Sequence, residues 1–144
     1  MSVKNGRPKR ILAVDDDATA AAALRQILIG KGYEVTVAAT GEEALEAAAR
    51  EQPFDLILLD VALPGISGFD VCRKIRADEK TRDVPVIFLT GKGRLMDMAE
   101  GDDAGSDLYL VKPVLASKLL HMLDLFLTPD APLGKRPRQF HSTS

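Results

Sequence analysis

Four short apolar runs, each ending on a residue that can do chemistry, constrain this chain more than any other feature. Ile11-Leu12-Ala13-Val14 runs into Asp15-Asp16-Asp17. Leu56-Ile57-Leu58-Leu59 ends on Asp60, Val86-Ile87-Phe88-Leu89 on Thr90, and Leu108-Tyr109-Leu110-Val111 on Lys112-Pro113. Apolar runs without alternation suit strands buried on both faces of a parallel sheet. In such a sheet the last residue of each strand emerges along one edge. Carboxylates, a hydroxyl and an ammonium would then converge there, where a divalent cation and a phosphoryl group could bind.

The rest of the pattern supplies the connections. Arg10 to Val14 forms the first strand. Ala18 to Ile29 reads as an amphipathic helix stopped by Gly30 and Gly32. A second strand spans Glu34 to Ala39. Thr40 and Glu43 have capping-box spacing ahead of a helix over Gly41 to Arg50. The third strand is Asp55 to Asp60. The turn residues Pro64, Gly65 and Gly68 lead into a helix from Phe69 to Ala77. The fourth strand is Val84 to Thr90, with Pro85 near its start, where a sheet tolerates proline. Arg94 to Ala104 predicts a weak helix, loosened by Gly93, Gly101 and Asp102. The fifth strand is Leu108 to Val111 and the last helix Val114 to Leu127. Residues 1–9 read as a flexible lead, 10–127 as one domain, and 128–144 as a flexible basic tail.

Strands alternating with helices predict an α/β fold, a doubly wound five-stranded parallel sheet flanked by five helices. Its site belongs at the carboxyl ends of the strands, where strand order reverses.

The 144 residues fit one domain with a core that needs no covalent staples. A net charge of −2 gives no nucleic-acid or membrane footprint to the chain as a whole. The single cysteine, Cys72, excludes an internal disulfide framework and fits a reducing compartment. No apolar stretch approaches the ~20 residues that span a bilayer. The N-terminus lacks the apolar core of a secretory signal, so a cytoplasmic protein is expected.

Carboxylates about 4 Å apart repel by about 4 kcal/mol per pair at an effective dielectric near 20. Such a cluster must hold protons or a cation. An all-oxygen donor set without histidine or cysteine selects a hard ion, and Mg²⁺ is favoured. A carboxylate can also act as a nucleophile and form an aspartyl-phosphate.

At this point the chain resembles the receiver domain of bacterial two-component response regulators, of the stand-alone chemotaxis type. The resemblance rests on VDDD at the first strand end, LILLD with VALPGISG at the third, VIFLTG at the fourth and YLVKP at the fifth. It implies a flavodoxin-like strand order 2-1-3-4-5. It implies that Asp60 is the phosphoacceptor, that Asp16 ligates Mg²⁺ directly, and that Asp15 acts through water. The backbone carbonyl of Ala62 completes the metal ligands. Thr90 becomes the switch hydroxyl, Lys112 the phosphate-contacting lysine, and Tyr109 the aromatic that moves with Thr90. Lys112-Pro113 is expected to be a cis peptide. The expected donor is a histidine kinase or phosphotransfer protein. The output face would run from about Arg94 to Leu125, through protein–protein contacts, with no DNA binding, no membrane insertion and no turnover enzymology. The Asp60 side chain is expected to lie open to solvent.

Departures from the family pattern carry their own expectations. Ser67, not an acid, precedes Gly68. Ala62 offers no polar group to orient water, and Lys92 follows Thr90 closely, which together predict a long-lived phosphorylated state. Asp102 stands where relatives usually bury an apolar residue and Gly101 adds looseness, predicting a short, shifted or mobile fourth helix. Blander roles are assigned elsewhere: Asp17 caps the first helix, Cys72, Met96 and Met98 pack, and His121 and His141 show no metal-ligand spacing.

Two rivals remain. Asp15, Asp17 and Thr19 match the DxDxT of haloacid-dehalogenase-type phosphatases. That reading leaves Asp60 and Lys112-Pro113 unexplained and too few residues between Thr90 and Gly101. A pseudo-receiver, binding partners without phosphorylation, is the other.

Overall fold

The computed structural model describes residues 7–50, 53–91 and 104–127. Expectations for residues 1–6, Lys92, the weak helix with Met96, Met98, Gly101 and Asp102, and the tail with His141 lie outside the described residues.

The elements alternate as the apolar pattern requires: β1 (Arg10–Val14), α1 (Ala18–Gly30), β2 (Glu34–Ala38), α2 (Gly41–Ala48), β3 (Leu56–Asp60), α3 (Gly68–Ala77), β4 (Val86–Thr90), β5 (Leu108–Val111) and α4 (Ala116–Leu127). The strands form one parallel sheet in the order β2-β1-β3-β4-β5, with the reversal between β1 and β3. Four of the five expected helices fall among the described residues.

Every residue of β3 and β4 is buried, because helices cover both faces. On one face Leu12, Val14, Ile57, Leu59 and Phe88 pack against Ala44 and Ala47 of α2 and Phe69, Val71 and Ile75 of α3. On the other, Ile11, Leu56, Leu58, Ile87 and Leu89 meet Leu28 of α1 and Leu119 and Leu123 of α4. The side-chain period of two divides each strand between these layers.

Local chemistry fixes the helix ends. Asp17 caps α1, its Oδ1 accepting from Thr19 N at 3.0 Å and Ala20 N at 3.3 Å. The helix closes on Gly32 at φ +101°, with Gly32 N donating to Ile29 O (2.9 Å) and Tyr33 N to Leu28 O (3.1 Å). This double bond pattern needs a left-handed residue, which glycine adopts without steric cost. Thr40 Oγ1 accepts from Glu43 N at 3.1 Å, and Glu43 Oε1 accepts in return from Ala39 N at 2.9 Å.

Most element boundaries fall within one or two residues of the sequence expectation, and three of the differences bear on the packing. β4 begins at Val86 rather than Val84, because Pro85 has no N–H to give a ladder; its carbonyl accepts from Ile57 N at 2.9 Å. α4 begins at Ala116, two residues later than expected, after the Lys112-Pro113 turn. Lys9, expected in a flexible lead, accepts from Glu34 N at 2.9 Å and extends the β1–β2 pairing.

At the sheet edge opposite the candidate site, one guanidinium ties α3 to the segments leading into β4 and β5. Arg76 donates to Gly105 O (2.8 Å), Arg82 O (3.0 Å), Val84 O (2.6 Å) and Asp107 Oδ2 (2.8 Å). Asp107, 1% exposed, also accepts from Val86 N at 2.9 Å.

Candidate functional site

Parallel register brings the four strand ends together. Asp15 follows β1, Asp60 and Thr90 close β3 and β4, and Lys112 follows β5, its N–H donating to Thr90 O at 2.7 Å. Asp15 N donates to Ala38 O (3.0 Å), which holds the β1 terminus in the sheet while Asp17 N donates to Asp15 Oδ1 (2.9 Å). Asp16, between them, is exposed.

Carboxylate oxygens of Asp15, Asp16 and Asp60 lie within 4.8 Å of one another. The ammonium of Lys112 lies between two of them, 2.9 Å from Asp15 Oδ2 and 3.3 Å from Asp60 Oδ2. Ala62 N donates to Asp60 Oδ1 at 3.3 Å, so both Asp60 oxygens have partners. The acid cluster thus holds a cation of its own, as its mutual repulsion requires.

Burial sets the electrostatics. It raises the Asp60 pKa from its ordinary value; the Lys112 charge opposes that shift and the Asp15 charge adds to it. Burial works to lower the Lys112 pKa, but the Asp15 hydrogen bond and the charges of Asp60 and Asp15 outweigh it, and the net shift is upward. The two directions agree physically, since one ammonium is shared by two carboxylates that repel each other.

Asp60 corrects one expectation: its side chain is only 10% exposed, not open to solvent. β3 is a central strand, and the following loop and Lys112 close over its end. Thr90 is fully buried, and its Oγ1 donates to Gly91 O at 3.3 Å rather than to Asp60. Tyr109 is half-buried, its ring 5.4 Å from that of Phe88, whose own ring meets Phe69 at 5.2 Å. Ala62 is exposed in the loop. Lys112-Pro113 is cis, as expected.

The structure adds Gly68, which sequence reading took only as a turn residue. A side chain there would collide with the Asp60 carbonyl oxygen, and Gly68 N donates to Val61 O at 3.0 Å. A glycine eight residues after a candidate strand-end nucleophile was the available clue.

The donor set fits a magnesium ion: oxygen atoms only, one exposed carboxylate, and two buried ones within reach.

The sequence model of the response regulator receiver domain matches residues 11–124. The chain belongs to that family. It is 43% identical over 112 residues to the DNA-binding response regulator MtrA of Mycobacterium tuberculosis, covering 78% of this chain and 47% of MtrA. It therefore spans about half the length of the curated relatives it matches. A response regulator from Chloroflexus aurantiacus superposes with a TM-score of 0.79 at 39% identity, covering 84% of this chain and 98% of that one. The receiver domain of a Pseudomonas aeruginosa sensor histidine kinase, which holds a magnesium ion in its active-site cleft, superposes with a TM-score of 0.78 at 35% identity, covering 84% and 98%. The expectation of no DNA contact gains nothing from these relatives, since MtrA is named for DNA binding. Among the described residues no helix is long and apolar enough to cross a membrane.

Proposed function

We propose that this receiver domain accepts a phosphoryl group on Asp60 from the phosphohistidine of a histidine kinase or phosphotransfer protein. The observation that carries the reading is the Lys112 ammonium held between Asp15 and Asp60, beside exposed Asp16. An Asp60 carboxylate oxygen forms the new O–P bond as the P–N bond breaks, and the imidazole leaves with its electron pair. Lys112 neutralises charge on the transferring oxygens. Asp15, Asp16, Asp60 and the Ala62 carbonyl would hold Mg²⁺, which supplies further neutralisation of phosphoryl charge when bound.

Phosphorylation takes the Asp60 oxygen away from Lys112 as a simple carboxylate and adds oxygens that accept hydrogen bonds. Thr90 Oγ1, which among the described residues bonds to the neighbouring carbonyl, can turn to such an oxygen. Tyr109 repacks beside Phe88, and the β5–α4 side shifts between two populations. The output is a contact with a protein partner through this side. The chemistry in this reading is limited to self-phosphorylation and self-dephosphorylation, and a cytoplasmic location fits such donors. The phosphatase alternative fares poorly, because Asp17 is engaged in capping α1 and Thr19 is exposed on that helix.

Incubation with a phosphorylated histidine kinase and Mg²⁺ tests the reading. Label should pass to the wild-type chain and not to Asp60→Asn. Unchanged labelling of Asp60→Asn would end it, and refusal of label by the wild type would favour the pseudo-receiver.

A further inference from the structure

We infer that Gly41, at the start of α2 and outside the site, is a positioning residue that sets how tightly the chain binds Mg²⁺. The inference rests on the metal-binding reading of Asp15, Asp16, Asp60 and Ala62.

The loop between β3 and α3 carries Ala62, and three features anchor it. Gly68 N donates to Val61 O (3.0 Å), Ala62 N donates to Asp60 Oδ1 (3.3 Å), and Ser67 Oγ accepts from Asp70 N (3.1 Å) to cap α3. Ile66, just before that cap, and Val71, in the first turn beyond it, occupy the two positions of a hydrophobic staple. A staple fixes the angle at which the chain enters a helix. Here it also fixes where the metal-ligand loop lies.

Gly41 is the surface on which this staple rests. A Cβ at position 41 would stand 2.6 Å from Ile66 Cγ1, 2.7 Å from Val71 Cγ2 and 3.0 Å from Ile66 Cδ1. The first two separations are shorter than non-bonded carbon atoms adopt, and the third is tight. The nearest two belong to branched side chains whose χ1 is stiff, so neither swings aside cheaply. Val71 is fully buried among the core residues of α3, whereas Ile66 is half-buried on the loop. The loop is therefore the side that yields. Helix propensity favours alanine over glycine at position 41, so close packing and not local preference explains the glycine. Displacing Ile66 displaces a segment only four residues from Ala62, while Asp15, Asp16 and Lys112 stay on other elements.

Calorimetric titration of the full chain with Mg²⁺ tests this, alongside urea unfolding without metal. Gly41→Ala should bind Mg²⁺ at least fivefold more weakly. Ile66→Ala alone removes the loop end of the staple without any collision and should bind Mg²⁺ at least threefold more weakly while remaining folded. Leu28→Ala, in the core layer on the opposite face, should lower stability and leave the affinity unchanged. Wild-type affinity in a folded Gly41→Ala overturns the inference, as does wild-type affinity in Ile66→Ala. If the wild type itself binds no Mg²⁺, the reading of the metal site fails as well; intact wild-type binding with an unaffected Gly41→Ala removes only the role of Gly41.

Discussion

Replacing Arg76 with leucine should destabilise the domain by about 4 kcal/mol, a value that follows from the burial of its partner. The guanidinium lies 2.8 Å from Asp107 Oδ2, with side-chain exposures of 12% and 0%. At an effective dielectric near 20, a pair at that distance attracts by roughly 6 kcal/mol. Desolvation of both ions offsets much of that in the intact protein. Truncating the arginine leaves the Asp107 carboxylate buried without its guanidinium, a change that typically costs about 3–5 kcal/mol. The Gly105, Arg82 and Val84 carbonyls lose donors too, but Arg82 O is near solvent and these losses overlap. Domains of this size have total stabilities of about 5–15 kcal/mol, so the loss is a large share. With a urea m-value near ~2 kcal/mol/M, the midpoint should fall by about 2 M. A double-mutant cycle with Asp107→Asn should give a coupling of at least ~2 kcal/mol. A cost below ~1 kcal/mol for Arg76→Leu, or no coupling in the cycle, would refute the reasoning.

Three further outcomes are expected. Because the folded-state pKa of Asp60 is raised, its contribution to stability is present below the ordinary value of 3.8 and is lost as pH rises through the folded value. Asp60→Asn should therefore stabilise the metal-free protein at neutral pH, with the advantage shrinking as the acid limit is approached; thermal melts from neutral to acid pH that show a destabilised variant throughout would contradict this. Ser106 is 2% exposed and its hydroxyl has no hydrogen-bond partner among the described residues, so Ser106→Ala should raise stability by about 1 kcal/mol in urea unfolding. Ala62 is exposed beside Asp60, and Ala62→Asn should speed loss of the phosphoryl group by giving water a polar partner; slower or unchanged decay of the phosphorylated chain would count against that role.

The strands were legible because β1, β3 and β4 lie inside the sheet and read as unbroken apolar runs. Legibility of the candidate site follows, since a parallel sheet places Asp15, Asp60, Thr90 and Lys112 on one edge whatever the details of the loops. What escaped was set by contacts between elements distant in sequence. Arg76, in the last turn of a polar helix, reads as a solvated cation favoured by the helix dipole. Asp107, after Gly105-Ser106, reads as part of a turn. Only the fold puts them 2.8 Å apart. Gly41 likewise reads as an ordinary early-helix residue, and its contact with Ile66 and Val71 appears only when α2 and α3 pack side by side. The burial of Asp60 was misjudged because a strand-end position says nothing of what the following loop covers.

Mapping the phosphoryl group tests the central assignment most directly. The chain is phosphorylated in Mg²⁺ and reduced with borohydride, which converts an aspartyl-phosphate to homoserine. Peptide mass spectrometry then locates the modified residue. The arrangement of Lys112 between Asp15 and Asp60 predicts homoserine at position 60 alone. Homoserine at position 15 or 16, or at no aspartate, would contradict it.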